Sequence, residues 1–420
     1  MAISQVRARL NGQWHTLTYN PETRTYQTTL TPDVFSGSQP GGYYNIVVET
    51  TNDSGAVTTT DGNTFASLKL VVLETTPPTL TIISPPPGYV TNNVPEITCT
   101  AVDNAGGSGI DPSTASVALD GEPVPPEQIT ITAGSGGAYT IVYTPASALS
   151  DGEHTVAFGI SDNDGNSAST SAVYTIDTTP PQLMANLSFA EVVTDAYTVV
   201  LSGHTEDAIA NPVTVNVLHN GKQSALTLDE LGNFNHEISL SVGENSITVT
   251  ATDAAGLSSE QEFYLIRLIT DRTQNDVDRV NELAQKMMLG TVSTQERDEW
   301  FSGMRGAYNA TDLNRVNTAM EYLNGWITDA GYATGYADQG IEWTMSDIQV
   351  QAQMAAYLNN VAAIGSVFPL ENPPSLPESM VYLTYIGANA IEKILVLTDK
   401  INPLLEKSLF YSGEVFCGEV

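Results

Sequence analysis

"ETTPPTL" occupies residues 74–80 and "DTTPPQL" occupies residues 177–183. Paired prolines donate no backbone hydrogen bond and favour an extended, fairly stiff chain, so neither copy can extend a sheet. A semi-rigid spacer written twice predicts a string of modules with boundaries near residues 76 and 179. The length agrees, because 420 residues exceed one ordinary core and suggest about three or four domains.

Residues 1–268 are rich in Thr, Val, Ile, Gly and Pro and read as short alternating strands. Val156, Phe158 and Ile160 in "TVAFGISD" fall on one face at period two, as do Ile247, Val249 and Ala251 in "SITVTATD". The turn-forming pairs Asp120-Gly121, Asp151-Gly152 and Asn220-Gly221 separate such runs. A second repeat joins "VVETTNDSGAVTT" (47–59), "AFGISDNDGNSAS" (157–169) and "TVTATDAAGLSSE" (248–260). Each has a strand, then an Asn or Asp, then a Gly three residues on: Asn52/Gly55, Asp162/Gly165 and Asp253/Gly256. The acid or amide caps a turn, and the glycine supplies a positive φ, joining the last two strands of a sandwich. A closing strand is expected after each, at "SLKLVVL" (67–73), "SAVYTID" (171–177) and "EFYLIRL" (262–268).

From residue 269 the period changes. Val277, Val280, Leu283, Ala284 and Met287 recur at three and four residues, as one face of a helix requires. Thr273 with Asp276, and Ser293 with Glu296, are N-cap pairs. A further helix carries Leu313, Val316, Met320, Leu323 and Ile327, with Thr311 as its expected cap. Two more are expected at 351–364 and 385–401, joined by the proline-rich "PLENPPSLPES" (369–379), and Pro403 ends or kinks the last one.

The hairpin "ITVTATDAAGLSS" with the preceding "LSVGENS", the loop "AVDNAGGSGID" and the TTPP spacers resemble tandem bacterial immunoglobulin-like domains, closely over 77–268 and more loosely over 1–75. "RTQNDVDRVNEL", "GAYNATDLNRVNTAMEYL", "YLTYIGANAIEKIL" and the ending "FYSGEVFCGEV" resemble a helical module of structural proteins from phages and prophages of gut Firmicutes, over 272–420. The expected architecture is therefore multidomain. Three all-β immunoglobulin-like sandwiches in tandem span 1–75, 76–178 and 179–268, and a C-terminal all-α helical domain with a short apolar tail spans 269–420.

Lys and Arg total 15 against 48 Asp and Glu, a formal charge of −33. Such a surface repels nucleic acid and anionic lipid, since phosphate binding depends on Lys and Arg displacing counterions. No nucleic-acid partner is expected, and no membrane partner. No run of about 18 apolar residues occurs, and "MAISQVRARLNGQW" does not resemble a signal peptide, so export by a standard route is not expected. Cys99 reads as a small buried hydrophobe, and no disulfide with Cys417 is expected, because the two fall in different modules.

Five histidines, His15, His154, His204, His219 and His236, all lie in the sandwiches among polar neighbours and read as surface strand residues. The helical domain has none, which excludes an HExxH metalloprotease or a Ser/His/Asp triad within it. Glu296, Asp298 and Glu299 beside Trp300 could act on a sugar as paired carboxylates, but acids in a first helical turn are also favoured by the helix dipole. Calcium at the module junctions is the most physical ligand. Asp162 and Asp164 share one tight turn, Asp103 and Asp111 flank a Gly-rich loop, and Asp177 opens a linker. Asp and Asn populate hairpin turns without any metal, so no ligand set is assigned, and no catalytic or cofactor residue is named. "AGSGGAY" (133–139) reads as a hairpin loop rather than a phosphate loop. Tyr332, Tyr336 and Trp343 either bind a glycan or a partner, or fold back onto the helices, which is the preferred reading.

The expectation is a non-enzymatic virion structural protein of a phage, in its tail, fibre or capsid decoration. It would assemble in the bacterial cytoplasm with other virion proteins, in a homo-oligomer, and present its modules to host-surface glycans. The tail residues Leu409, Phe410, Val415 and Phe416 are the expected docking side chains. A bacterial cell-surface adhesin is the alternative, and a glycan-processing enzyme in the helical domain is a third reading.

Overall fold

Strands Gly152–Asp162 and Ser167–Ile176 pair antiparallel along their length and bury Val156, Phe158 and Ile160, the face that the alternation indicated. They lie in a five-stranded sheet ordered Gly88–Val90, Ser167–Ile176, Gly152–Asp162, Ile110–Leu119, Glu122–Pro123, whose first pair is parallel. A four-stranded sheet, Ile129–Ala133, Tyr139–Tyr143, Ile97–Val102 and Thr79–Ser84, covers it. Cys99, Ile141, Tyr143 and Tyr174 fill the space between the sheets. The "AGSGGAY" stretch closes the hairpin at Ile129–Ala133 and Tyr139–Tyr143, as expected.

The third sandwich repeats this plan. A three-stranded sheet (Gln182–Leu187, Thr198–Glu206, Asn233–Ser239) faces a five-stranded one running Val193–Thr194, Ser258–Arg267, Gly243–Thr252, Thr214–His219, Lys222–Leu226. Ile247, Val249 and Ala251 are fully buried between them. The first 75 residues are thinner. One four-stranded sheet, Gln13–Thr16, Ile3–Leu10, Val47–Asn52 and Val57–Thr60, is joined by two ribbons, and among the described residues only Val6, Ala8, Leu10 and Tyr44 are buried apolar ones there. The closing strand expected over 67–73 shrinks to Lys69–Leu70, paired with Tyr44–Asn45, while Val71 and Leu73 are exposed. In the other two modules the closing strand is the second arm of the hairpin itself.

The computed structural model describes residues 2–32, 35–209, 212–347 and 350–405, in two compact units spanning 1–179 and 180–420. The first unit holds the first two modules, and the second holds the third sandwich and the helices. The tail residues Leu409, Phe410, Val415, Phe416 and Cys417 lie outside the described residues.

Among the described residues up to 399, five helices follow the third sandwich: α1 (Gln274–Leu289), α2 (Thr294–Phe301), α3 (Ala310–Asp329), α4 (Gln351–Gly365) and α5 (Tyr385–Asp399). Thr273 and Ser293 cap α1 and α2 in reciprocal boxes with Asp276 and Glu296. The cap of α3 is Asn309, boxed with Asp312. Thr311, expected as the cap, lies inside the helix because Asn309 takes up its amide. Leu313, Val316, Met320, Leu323 and Ile327 are buried as one face. In α1 only Leu283 is fully buried, with Val277, Val280, Ala284 and Met287 half-buried. Helix α5 ends at Asp399, and after a turn at Lys400 and Ile401 the described residues 402–405 are helical again, so Pro403 falls in the first turn of that stretch rather than ending α5. No helix among the described residues is long and apolar enough to cross a membrane.

The third sandwich and the helices share one core, in which Val193, Ile266 and Leu268 pack with α3, α4 and α5. A polar stripe on α5 organises that joint. Glu392 Oε2 accepts from the Ile269 amide at 2.6 Å, Asn389 exchanges two bonds with the Arg272 backbone, and Asp399 Oδ2 accepts from the Val192 and Val193 amides at 2.6 and 2.7 Å. Around Glu392 lies a charge-balanced cluster. Arg272 and Arg315 each contact both Glu392 and Asp312 at 2.5–2.9 Å, with side chains at most 7% exposed.

Two measurements test this joint. Glu392→Gln leaves two buried guanidiniums with one carboxylate and should cost about 3 kcal/mol of unfolding free energy, read by urea denaturation of the second unit's helical signal. Asp399 gives a pH signature, because burial pushes its carboxyl from 3.8 up to about 6, against the pull of the two amides. The folded chain thus holds this proton longer than the unfolded one. Its stabilising contribution is full below pH 3.8 and is lost as pH rises through 6, by on the order of 3 kcal/mol. Denaturation of Asp399→Asn beside the unsubstituted chain, from about pH 4 to about pH 7, should show the difference moving in the variant's favour.

Candidate functional site

The repeated hairpin turn is built as the sequence indicated. Gly55, Gly165 and Gly256 have φ of 77°, 91° and 88°, and the side-chain oxygen of Asn52, Asp162 or Asp253 accepts from the amide four residues on at 2.8–2.9 Å. In the second module this turn meets the 103–109 loop. Asn163 donates to the Ser108 and Gly109 carbonyls, and Asp103 Oδ2 accepts from the Gly109 amide at 2.6 Å. Gly107 is needed there, since a Cβ would stand 2.5 Å from the Asp103 carboxylate.

Glu74, the first residue of the first TTPP heptad, joins this loop pair. Its carboxylate accepts from the Ser108 amide at 2.5 Å, its own amide donates to Asp164, and its carbonyl accepts from Asn166. Carboxylate oxygens of Glu74, Asp103 and Asp162 lie within 4.8 Å of one another, with Glu74 7% and Asp162 2% exposed. Of the acids singled out in the sequence, Asp103 and Asp162 therefore converge. Asp164 serves instead as an acceptor for the Glu74 amide, and Asp111 is turned to Ser113. Asp177 is fully buried and accepts from the Thr179 amide. Glu74 and Asp207 were missed. The available signal was that an acid opens both TTPP heptads, and that one follows both Ala101-Val102 and Thr205-Glu206.

In the third module Asp207 and Asp253 stand where Asp103 and Asp162 stand in the second. They offer oxygens within 4.8 Å of each other. Oδ1 of Asp207 accepts from the Ile209 amide and Oδ1 of Asp253 from Leu257, both at 2.9 Å, while each Oδ2 is buried with no hydrogen-bond partner.

The carboxylates near Trp300 are differently placed. Glu296 bonds Lys286 at 2.5 Å, and Glu299 receives two bonds from Arg279. The Lys286 ammonium and the Ser293 cap hold Glu296 down at about 2, and Arg279 lowers Glu299. A glycosidase acid needs the opposite shift, and Trp300 is only half-buried, with Asp298 exposed beside it. The five histidines are half-buried strand residues. His154 bonds Asp120 at 2.8 Å and the Ser150 carbonyl at 2.9 Å. Burial pulls its imidazole down, but these partners outweigh that and leave it raised. No hydroxyl completes a triad there. Trp343 is buried in the helical core, Tyr336 packs against it, and Tyr332 meets the Phe368 ring edge-on, so this group folds back onto the helices.

One further feature had no sequence signal of its own. On the first module an open groove of about 940 Å³ is lined by Tyr19, Asn20, Tyr26 and Gln27. Its two rings lie 5.2 Å apart at 55°, and Tyr19 is 48% exposed.

Two family models match the chain: "Bacterial Ig-like domain" over residues 91–178, and "Glucodextranase, domain B" over residues 181–266. The curated proteins give no match. Among solved structures, the chain is similar to fibronectin(III)-like modules of CbhA from Clostridium thermocellum, at 14% identity and TM-score 0.30, covering 45% of this chain and 94% of that one. It is similar to a three-domain immunoglobulin fragment of titin at 14% identity and TM-score 0.33, covering 63% and 87%. It is also similar to a structure of a 1.5-MDa bacterial ice-binding adhesin at 18% identity and TM-score 0.27, covering 64% and 87%. The chain carries immunoglobulin-like β-sandwich modules in tandem, followed by a C-terminal helical region.

Proposed function

We propose that this chain is a non-enzymatic attachment protein of a phage particle, whose immunoglobulin-like modules present a glycan-binding surface and whose helical region joins the particle. The observation that carries the attachment reading is the groove of the first module. The exposed ring of Tyr19 and the half-buried ring of Tyr26, beside amide and hydroxyl side chains, offer a sugar ring both stacking and polar contacts. Glu296 and Glu299, the carboxylates beside Trp300, are committed to ion pairs with Lys286 and Arg279, which leaves them to hold structure rather than to exchange protons with a substrate. Placement in a virion rests on the resemblance of 272–420 to phage structural proteins. Other virion proteins would be the partners of the helical region, and a homo-oligomer suits such an assembly. A bacterial cell-surface adhesin uses the same modules and the same groove, and differs in where the chain ends up.

Full-length chain should be retained on immobilised host cell-wall polysaccharide, and Tyr19→Ala should weaken retention about fivefold, as loss of one stacking ring near 1 kcal/mol implies. Unchanged retention in Tyr19→Ala and Tyr26→Ala would reject the groove. In a lysate of the native host, co-sedimentation of the chain with DNA-containing particles supports the virion, and recovery with cell walls alone replaces it by the adhesin.

A further inference from the structure

Clustered carboxylates are handled in two ways along this chain. In the helical region the ion-paired groups have basic partners: Glu282 and Glu296 with Lys286, Glu299 with Arg279, Asp312 and Glu392 with two arginines. In the sandwiches no Lys or Arg occurs between Lys69 and Lys222. The triad Glu74, Asp103 and Asp162 therefore has no basic residue of its own module to turn to. Backbone amides and Asn166 take some of its lone pairs, but they carry no net charge to offset the carboxylates.

An independent sign comes from the third module. Asp253 is 7% exposed, its Oδ1 is used by the turn, and its Oδ2 is buried without a partner. The Oδ2 of Asp207 is in the same condition, and the two residues bring oxygens within 4.8 Å. Two buried acceptors with no donor, on carboxylates that approach so closely, call for a positive ligand.

We propose that the turn aspartate and the loop aspartate of the second and third sandwiches bind a hard divalent cation of the calcium class, with one site on Glu74, Asp103 and Asp162 and a second on Asp207 and Asp253. All donors are carboxylate oxygens, on flexible-length loops rather than a rigid octahedral cage, which suits calcium over magnesium or a thiophilic metal. The first site ties three pieces of chain together: the segment leaving the first module, the 103–109 loop and the 162–166 turn. Cation binding there fixes the connection between the first two modules within their unit. The reading is independent of the ligand and location proposed above.

The test uses full-length chain stripped with EDTA and titrated calorimetrically with calcium chloride in about 0.15 M sodium chloride, which screens loose binding to the acidic surface. Two saturable sites and a raised thermal midpoint are expected. Asp253→Asn should remove one site and Asp162→Asn the other. Asp103→Asn, which leaves the hairpin turn's own bonds in place, should match Asp162→Asn, so that misfolding of the turn is not mistaken for loss of a ligand. The absence of saturable heat in the unsubstituted chain overturns the proposal. So does an unchanged stoichiometry in the Asp162→Asn/Asp253→Asn double variant, which would assign the calcium to the general charge of the surface.

Discussion

Helix α5 carries the polar stripe on which the second unit depends. Asn389, Glu392 and Asp399 recur at three and seven residues along one side of the helix, and each accepts from a backbone amide of the sandwich or of its exit segment. The last strand of the sandwich ends at Arg267, and its last bond to a neighbouring strand runs from the Leu268 amide to the Thr194 carbonyl. Buried amides at Ile269 and Arg272 would stand unsatisfied there, at a cost of about 1–3 kcal/mol each. The helix supplies side chains where a strand would have supplied carbonyls. This lets a β-module run into an all-α one with no solvated linker and gives them a common core. A helix used in this way must be buried on nearly every side, and α5 is: Ala388, Ile391, Leu395 and Val396 are covered along with the polar stripe.

Such an arrangement fixes the electrostatics of its surroundings. Glu392 can accept from Ile269 only if its charge is balanced, and the two arginines that balance it are themselves held by Asp312. Glu392 with the two arginines alone would leave one positive charge over, whereas with Asp312 the four groups sum to zero. Buried ion clusters contribute little net stability over a well-packed apolar core, but they discriminate strongly against wrong registers. Shifting α5 by one residue would turn the Glu392 carboxylate away from both guanidiniums. The cluster therefore sets how α5 lies on α3 and on the sandwich, and the apolar residues then fill the space that this geometry leaves.

The sheet faces and the hairpin turns were legible because their signals are local. Period-two alternation and an Asp-x-x-Gly turn depend on residues a few positions apart, so Val156, Phe158, Ile160 and Gly165 could be placed from the chain alone. The face of α3 was legible for the same reason. What could not be read depends on distant partners. In "ANAIEKILVLTDKI" the acids look like a solvated face, and only the amides of Ile269 and Val193, far away in sequence, reveal that Glu392 and Asp399 point inward. Glu74 was hidden in the same way. Its heptad reads as a spacer, and its carboxylate acquires a role only when the 103–109 loop folds against it. The α3 cap was lost to a nearer competitor, since Asn309 and Thr311 both suit the position and the box with Asp312 decides for Asn309.

The distribution of basic residues links these points to what the modules can touch. Arg7 and Arg9 stack on Trp14, and Lys69 stacks on Tyr43, so much of the small positive charge of the first module lies over its own aromatic rings. The second module has none. An anionic surface approaching these sandwiches meets uncompensated carboxylates, and the repulsion grows as salt is lowered. Two kinds of contact escape it: a neutral sugar face on Tyr19 and Tyr26, which needs no charge, or a divalent cation held between carboxylates. On the proposed reading the same composition turns the modules toward uncharged or cation-bridged partners, whichever structure carries the helical region.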